Sequence, residues 1–188
     1  MVITEYNSPV RHIVVDEFLG AKTNQHVLDL IQAQLPQITP GQAHTDSGSI
    51  EVADQFKRNG NSWLDPFDSE IVNILRNNFF KFEVAEELDH NKRGHNILLS
   101  RYVDGDFYNW HTDLGGHCTW NYFAIPEPKQ FAGGNFVLSN ALATQDPIDV
   151  KVIEPVNDRL IIFPAQYQHR VTPIVGAGTR YSVQVFFV

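Results

Sequence analysis

The residues best suited to metal chemistry lie in the second half of the sequence. His111 and Asp113 are two positions apart, so on an extended backbone their side chains point to the same face. A second histidine, His169, follows 56 positions after Asp113. Two imidazoles and one carboxylate are the donors of the facial triad that binds Fe(II) and leaves positions open for ligands. For His111 alone, a surface histidine or a capped histidine beside a turn is the alternative interpretation, because so short a motif arises often by chance.

An arginine stands at the start of the last apolar run. Arg180 begins the segment RYSVQVFFV. A buried charge without a partner is costly, and the planar guanidinium group suits a carboxylate held by two hydrogen bonds. Arg180 therefore predicts either a binding site for an anionic ligand or an internal ion pair with an Asp or Glu.

Together with their neighbours, these residues resemble the iron(II)/2-oxoglutarate dioxygenases, and among them the prolyl 4-hydroxylase-like branch. The resemblance covers roughly residues 95–188, with weaker similarity in the first strand and helix and over residues 58–64. The matching motifs are, in order, Tyr102, Gly105, Tyr108, His111-Thr112-Asp113, Gly133-Gly134, Ile153-Glu154-Pro155, Asp158-Arg159-Leu160, His169, Arg180 and Ser182.

The resemblance implies a role for each matched residue. Arg180, with the hydroxyls of Tyr102 and Ser182, would bind the distal carboxylate of 2-oxoglutarate. Family members often carry a further tyrosine or threonine on the strand after the His-x-Asp turn. Here that strand spans residues 118–123, and the sequence leaves open which of its residues faces the pocket. The Fe(II) ligands, which are also the catalytic residues, would be His111, Asp113 and His169.

The reaction implied by the resemblance is a hydroxylation. It would consume O2 and 2-oxoglutarate on Fe(II) and release succinate and CO2, with ascorbate as a candidate reductant. The expected substrate is a prolyl residue of a peptide or protein. The alternatives are hydroxylation of a free amino acid or another small molecule, and a non-catalytic jelly-roll metal-binding protein. The candidate substrate contacts are Tyr108, Trp110, Arg58 and Trp63.

The composition agrees with an iron site built from nitrogen and oxygen donors. The single cysteine, Cys118, permits neither an intrachain disulfide nor a thiolate zinc cluster, and it fits a reducing compartment. The formal net charge of −8 disfavours a nucleic-acid partner, which needs a basic surface. The first residues do not resemble a signal peptide, and no apolar run approaches a membrane span. We therefore expect a cytoplasmic protein without a nucleic-acid or membrane partner, and its oligomeric state stays open.

The elements that must position these residues are predicted from hydrophobic periodicity and turn residues. We expect one domain over residues 1–188, in which 1–94 provide helical support and a substrate-side loop. Within residues 1–94, the pattern predicts a strand over residues 12–19, a helix over 23–35 and an extended loop over 41–62. A second helix is expected from Asp65-Pro66 to Phe82, with Phe67 in its apolar stripe.

Residues 95–188 predict the catalytic core. Short β-rich runs alternate with turns, and His169 falls on a loop between two of them. This pattern indicates a mainly β fold with flanking α elements: a double-stranded β-helix, or jelly roll, with the N-terminal helices packed on one sheet. The expected strands cover residues 97–102, 117–125, 135–138, 150–153, 159–163, 170–174 and 181–188.

Overall fold

A computed structural model describes residues 1–41, 43–45, 48–50, 56–79, 95–113 and 117–187, and over these residues the fold is mainly β. The helices are α1 (Ala21–Gln34) and α2 (Glu70–Phe79), with a 3-10 turn over Leu35–Gln37. The strands are β1 (Val2–Tyr6), β2 (His12–Asp16), β3 (Thr39–Pro40), β4 (Ala43–Thr45), β5 (Gly48–Ile50), β6 (Lys57–Arg58), β7 (Gly60–Leu64), β8 (His95–Tyr102), β9 (Phe107–His111), β10 (Cys118–Ala124), β11 (Phe131–Gly133), β12 (Phe136–Leu142), β13 (Val150–Ile153), β14 (Arg159–Pro164), β15 (Tyr167–Val171), β16 (Ile174–Gly176) and β17 (Arg180–Phe187).

Two larger antiparallel sheets form the core of the fold. The major sheet has the strand order β1-β2-β14-β10-β17-β8-β7-β3, and the minor sheet has the order β13-β12-β15-β9-β6. Strands that are neighbours in a sheet are mostly distant in sequence, because the chain crosses repeatedly from one sheet to the other. This is the predicted jelly-roll arrangement, with two open sheets instead of a closed barrel.

Apolar clusters pack on both faces of the major sheet. Between the two sheets, Phe123 and Phe163 of the major sheet pack against Phe136, Leu138 and Val171 of the minor sheet. On the opposite face, the apolar sides of both helices pack against the major sheet, as the sequence predicts. This second cluster includes Val27, Leu28, Ile31, Ile71, Leu75, Ile97, Leu99 and Val183.

A buried polar contact fixes α1 to the major sheet. The Asp158 carboxylate accepts hydrogen bonds from the backbone N–H groups of Leu19 and Gly20, at 2.9 and 2.8 Å, just before the helix begins. The hydroxyl of Tyr122 lies 2.6 Å from Asn24 Oδ1 and 3.2 Å from Asp158 Oδ1. Burial raises the pKa of Asp158, against the hydrogen bonds that lower it.

The structure corrects the predicted bounds of the second helix. α2 begins at Glu70 instead of Asp65. Asp65 Oδ1 accepts from the N–H groups of Phe67 and Asp68, at 2.7 and 3.0 Å, and so caps a turn that precedes the helix. Phe67 is 80% exposed and does not belong to the apolar stripe. The predicted end of the helix, residues 80–82, lies outside the described residues.

Other predicted elements also differ from the structure. The first strand ends at Asp16 instead of residue 19, and the first helix spans Ala21–Gln34 instead of 23–35. Residues 41–62, predicted as a loop, contain β4 to β6 and the start of β7. β4 and β5 pair with each other, whereas pairing with β9 and β8 stabilises the extended backbone of β6 and β7. His169 lies within β15, not on a loop; Pro173, which lacks an N–H group, follows that strand and separates it from β16.

The helices of the described part are short. None of them is long and apolar enough to cross a membrane.

Candidate active site

The structure brings His111, Asp113 and His169 together at one end of a cavity between the two sheets. β9 ends at His111, and the strand register places that residue opposite His169 of β15. The metal-ligating atoms of these three side chains, one from each, lie within 4.8 Å of one another. His169 Nε2 is 3.5 Å from Asp113 Oδ1. Two imidazole nitrogens and one carboxylate oxygen in this arrangement can hold a divalent transition metal.

Hydrogen bonds orient each of these donors. Nδ1 of His111 lies 2.8 Å from the carbonyl of Asn109, and Nδ1 of His169 lies 3.0 Å from the carbonyl of Tyr167. A carbonyl can only accept, so each Nδ1 carries the proton and each Nε2 keeps a lone pair for a metal. The hydroxyl of Thr119 donates to Asp113 Oδ2 at 2.6 Å, which leaves Oδ1 on the side of His169.

The charges in this cluster suit a bound cation. Burial lowers the pKa of His111 well below its ordinary value; nearby His169 acts in the same direction, and the Asp113 carboxylate opposes both. For Asp113, burial raises the pKa, but the electrostatic influence of nearby His169 and His111 and the hydrogen bond from Thr119 outweigh it, so the pKa is lowered. At neutral pH the cluster therefore presents a neutral imidazole at His111 and an ionised carboxylate at Asp113.

A β-bulge in β9 places Tyr108 beside the cluster. β15 pairs His169 with His111 but Val171 with Tyr108, so β9 carries one extra residue between the two pairs. The Tyr108 and His111 rings stack at a centroid distance of 3.5 Å and an angle of 12°. Burial raises the pKa of the Tyr108 phenol.

The cavity has a volume of about 400 Å³ and is lined by residues of both sheets, such as Tyr102, Phe136 and Gln184. Trp63, which is 58% exposed, also lines it, and its ring lies 6.5 Å from that of Phe186. This pair of aromatic residues marks the mouth of the cavity.

Lys57 places an ammonium group in the cavity wall. The residue is only 5% exposed, and its Nζ lies 4.3 Å from the centroid of the Tyr108 ring. Burial lowers the pKa of Lys57 to about 8, and the charge of Asp113 opposes this shift. A positively charged side chain therefore lies in the cavity wall, near the group formed by His111, Asp113 and His169.

Arg180 is fully buried beside the cavity. Its guanidinium carbon lies 4.7 Å from the ring centroids of both Tyr102 and Phe123, so the guanidinium lies close to two aromatic rings. Nη1 donates to Ser182 Oγ at 3.2 Å, whereas Nε and Nη2 have no hydrogen-bond partner among the described residues. Burial lowers the pKa of Arg180 to about 10, with Tyr102 opposing the shift. Of the two sequence interpretations of this arginine, the free N–H groups favour an anionic ligand over an internal ion pair.

Two of the four predicted substrate residues line the cavity, and two do not. Tyr108 and Trp63 line the cavity. Trp110 and Arg58 do not: the Trp110 ring lies 4.8 Å from the guanidinium carbon of Arg170, and Arg58 Nε forms an ion pair with Asp106 at 3.1 Å.

The sequence did not indicate several residues of the cavity wall. On β10, Thr119 and Asn121 line the cavity and Phe123 covers Arg180, which settles the orientation of that strand. The alternation of Arg180, Ser182 and Gln184 within an apolar strand is a signal that could have pointed to Gln184. Lys57 and Asn61 lie in a polar stretch without alternation, and no sequence signal marks them.

The fold and the site define a class of protein, and a comparison with known families agrees. Residues 97–188 match the 2OG-Fe(II) oxygenase superfamily. This part of the chain is therefore a 2OG-Fe(II) oxygenase domain, and the protein is a 2-oxoglutarate-dependent dioxygenase. The family implies Fe(II), 2-oxoglutarate and O2 as cofactor and cosubstrates.

Within this class, solved structures of prolyl hydroxylases share this fold over 93–94% of the chain. A prolyl-4-hydroxylase from Pseudomonas putida is 18% identical, with a TM-score of 0.71 over 94% of this chain and 91% of that one. A prolyl hydroxylase from Trichoplax adhaerens, in complex with a hypoxia inducible factor peptide fragment, is 18% identical, with a TM-score of 0.68 over 93% and 83%. A viral collagen prolyl hydroxylase from Paramecium Bursaria Chlorella virus-1, in complex with 2OG, is 13% identical, with a TM-score of 0.59 over 93% and 94%. No curated protein matches the sequence.

Proposed function

We propose that the protein is an Fe(II)- and 2-oxoglutarate-dependent hydroxylase that acts on prolyl residues of a peptide or protein and releases succinate and CO2. One observation carries the proposal: the His111, Asp113 and His169 donors line a cavity together with Tyr102, and the ring of Tyr102 packs against a buried Arg180 that has two free N–H groups. The donors fit a divalent metal, and the buried guanidinium fits an anion. A protein that only held a metal would not need the second feature.

His111 Nε2, Asp113 Oδ1 and His169 Nε2 would hold the metal. Bound Fe(II), with 2-oxoglutarate and O2, supplies the oxidising power that converts a substrate C–H bond into C–OH. The protein contributes the geometry: the carbonyls of Asn109 and Tyr167 fix the two imidazole rings, and Thr119 fixes the carboxylate.

Arg180, Ser182 and Tyr102 would bind the distal carboxylate of 2-oxoglutarate. The rings of Tyr102 and Phe123 hold the guanidinium group in place and keep water from it, which strengthens its attraction for an anion. Burial raises the pKa of Tyr102 to about 12, although Arg180 opposes the shift, so its hydroxyl stays protonated and can donate at neutral pH.

The mouth of the cavity supports a peptide substrate. The exposed Trp63 ring and the neighbouring Phe186 ring offer an apolar surface against which a proline ring can pack. The Trichoplax adhaerens neighbour was solved with a peptide fragment, which also supports this substrate class.

Lys57 favours a second candidate substrate. Its ammonium group in the cavity wall suits the carboxylate of a free amino acid or another small acid, a group that an internal prolyl residue of a peptide lacks. A free amino acid is therefore the alternative to be tested beside the peptide.

The test is turnover with Fe(II), 2-oxoglutarate and ascorbate, the proposed reductant. We expect succinate, and the addition of one oxygen atom to a proline-containing peptide by mass spectrometry. Oxidation of a free amino acid instead would support the second candidate. If no succinate forms with any peptide or amino acid, the oxygenase proposal is overturned.

Two arginine variants provide a matched comparison. Arg180→Met should raise the KM for 2-oxoglutarate strongly and leave metal binding unchanged. Arg159→Met should change neither, because the Arg159 guanidinium already has a carboxylate partner, with its Nε 2.6 Å from Asp16 Oδ1. Equal loss of metal and 2-oxoglutarate binding in Arg180→Met would contradict the assigned role.

A further inference from the structure

A row of polar side chains crosses the inner face of the major sheet beside Arg180. Asn61, Ser100, Gln184 and Asn121 come from the adjacent strands β7, β8, β17 and β10, and all four line the cavity. The register places Asn61 opposite Ser100, and Gln184 opposite Asn121. The inner face of a β-sandwich is ordinarily apolar, so these groups must find hydrogen-bond partners in the row itself or in a ligand.

The contacts in this row fix the direction of its hydrogen bonds. The side-chain amide of Asn61 forms hydrogen bonds when it is oriented with its nitrogen toward Ser100. In this orientation the amide nitrogen donates to Ser100 Oγ at 3.0 Å. Ser100 then uses its only proton on Gln184 Oε1, at 3.1 Å. This contact fixes the Gln184 amide with Nε2 turned toward Ser182 Oγ, at 2.7 Å, and Asn121 Oδ1, at 3.3 Å.

The Ser182 hydroxyl therefore has both of its acceptor positions filled. It accepts from Gln184 Nε2 at 2.7 Å and from Arg180 Nη1 at 3.2 Å. A hydroxyl group has two lone pairs and one proton, so the proton of Ser182 has to be donated to a third group. Ser182 is fully buried, and the neighbouring Arg180 Nε and Nη2 also lack acceptors among the described residues. These two side chains together present donors only, as the binding of a carboxylate requires.

We propose that Gln184 is a positioning residue for the cosubstrate. By donating to Ser182 Oγ, it holds the serine proton toward the distal carboxylate of 2-oxoglutarate beside Arg180. This inference rests on the proposed function, and it concerns affinity for a cosubstrate with a distal carboxylate. Without the Gln184 amide, the Ser182 hydroxyl can rotate and donate elsewhere, while the metal donors are unaffected.

A double-mutant cycle tests whether Gln184 acts through Ser182. The affinity for 2-oxoglutarate is measured by calorimetry on the Mn(II)-loaded wild type, Gln184→Leu, Ser182→Ala and the double variant. The loss of one such hydrogen bond predicts a weakening of about 5- to 10-fold in each single variant. The double variant should bind 2-oxoglutarate no more weakly than Ser182→Ala. Losses that simply multiply in the double variant, or an unchanged affinity in Gln184→Leu, would overturn the inference.

Two further measurements separate positioning from general damage to the fold. Gln184→Glu keeps the shape of the side chain but replaces the donor with an acceptor, so it should weaken 2-oxoglutarate binding at least as much as Gln184→Leu. Pyruvate, a 2-oxo acid without a distal carboxylate, should bind Gln184→Leu and wild type equally, and so should Mn(II). An equal loss of pyruvate binding would show that the whole cavity is disturbed and would contradict the positioning role.

The outcomes also separate this inference from the function on which it rests. A wild-type protein that binds Mn(II) but no 2-oxoglutarate would refute the proposed function. If the wild type binds 2-oxoglutarate and Arg180→Met loses it while Gln184→Leu does not, only the role of Gln184 is refuted.

Discussion

Thr119→Val removes the hydrogen bond that orients the Asp113 carboxylate. The hydroxyl donates to Asp113 Oδ2 at 2.6 Å, and Thr119 is only 1% exposed, so water cannot easily replace the lost donor. Hydrogen bonds to charged groups contribute about 1.5–3 kcal/mol. We expect the free energy of unfolding of the metal-free variant to fall by about 2 kcal/mol, since the buried carboxylate loses a donor.

The same change should weaken metal binding. A carboxylate free to rotate holds a metal less well, and the loss of such an orienting partner typically costs about 10- to 100-fold in metal affinity. Urea denaturation of the metal-free protein and titration with Mn(II) measure the two effects. Thr119→Ser keeps the hydroxyl and should restore most of both.

Thr172→Val is the matched control for this prediction. The Thr172 hydroxyl accepts from the backbone N–H of Asn135 at 2.9 Å and has no contact with the metal cluster. This variant should lose stability without losing metal affinity. If Thr119→Val is as stable as the wild type and binds Mn(II) as tightly, the hydrogen bond to Asp113 does not have the role inferred from its geometry.

Three further predictions concern other parts of the molecule. Burial lowers the pKa of Lys57 from 10.5 to about 8, so between these two pH values the folded protein binds fewer protons than the unfolded chain. The free energy of unfolding of the wild type should therefore rise with pH relative to that of Lys57→Met, by up to about 3 kcal/mol in urea titrations. An equal pH dependence in the two proteins would contradict this reasoning. Tyr122→Phe should lower the free energy of unfolding by about 1–3 kcal/mol, because Asn24 loses its buried partner, whereas Tyr6→Phe should have little effect. Gly134→Ala should weaken 2-oxoglutarate binding, since φ is +62° and the new Cβ would lie 3.2 Å from Arg180 Cδ. The control variant Gly20→Ala, with φ +78° and open space around the Cβ, should lose stability only. Equal 2-oxoglutarate affinities in the two variants would argue against this reasoning.

The sequence was most informative where one residue type has few uses. A His-x-Asp pair, a later histidine and an arginine at the start of an apolar strand led to the cluster and to the buried guanidinium, because each is costly to bury without a partner or ligand. The apolar runs after residue 95 likewise predicted most of the strands of the core, since period-two patterning and turn residues act locally.

The sequence was least informative where pairing or tertiary contact decides the structure. β7 is polar because Asn61 faces a cavity, so it shows no apolar alternation and was predicted as part of a loop. The prediction contains no strand at β9, since the bulge beside His111 breaks the period of two. Asp65-Pro66 has the composition of a helix start, yet its carboxylate caps a separate turn. None of these outcomes depends on local propensity alone.

The distribution of the site over the two sheets has a mechanical consequence. His111 and His169 lie on the minor sheet, whereas Arg180 and Ser182 lie on the major sheet. A cosubstrate bound at one end to the metal and at the other to the guanidinium would therefore connect two layers that are otherwise joined here by side-chain packing. Separation of the layers would then require release of the ligand. Amide hydrogen exchange in β15 and β17 should slow together when metal and 2-oxoglutarate are both present, and less when either is added alone.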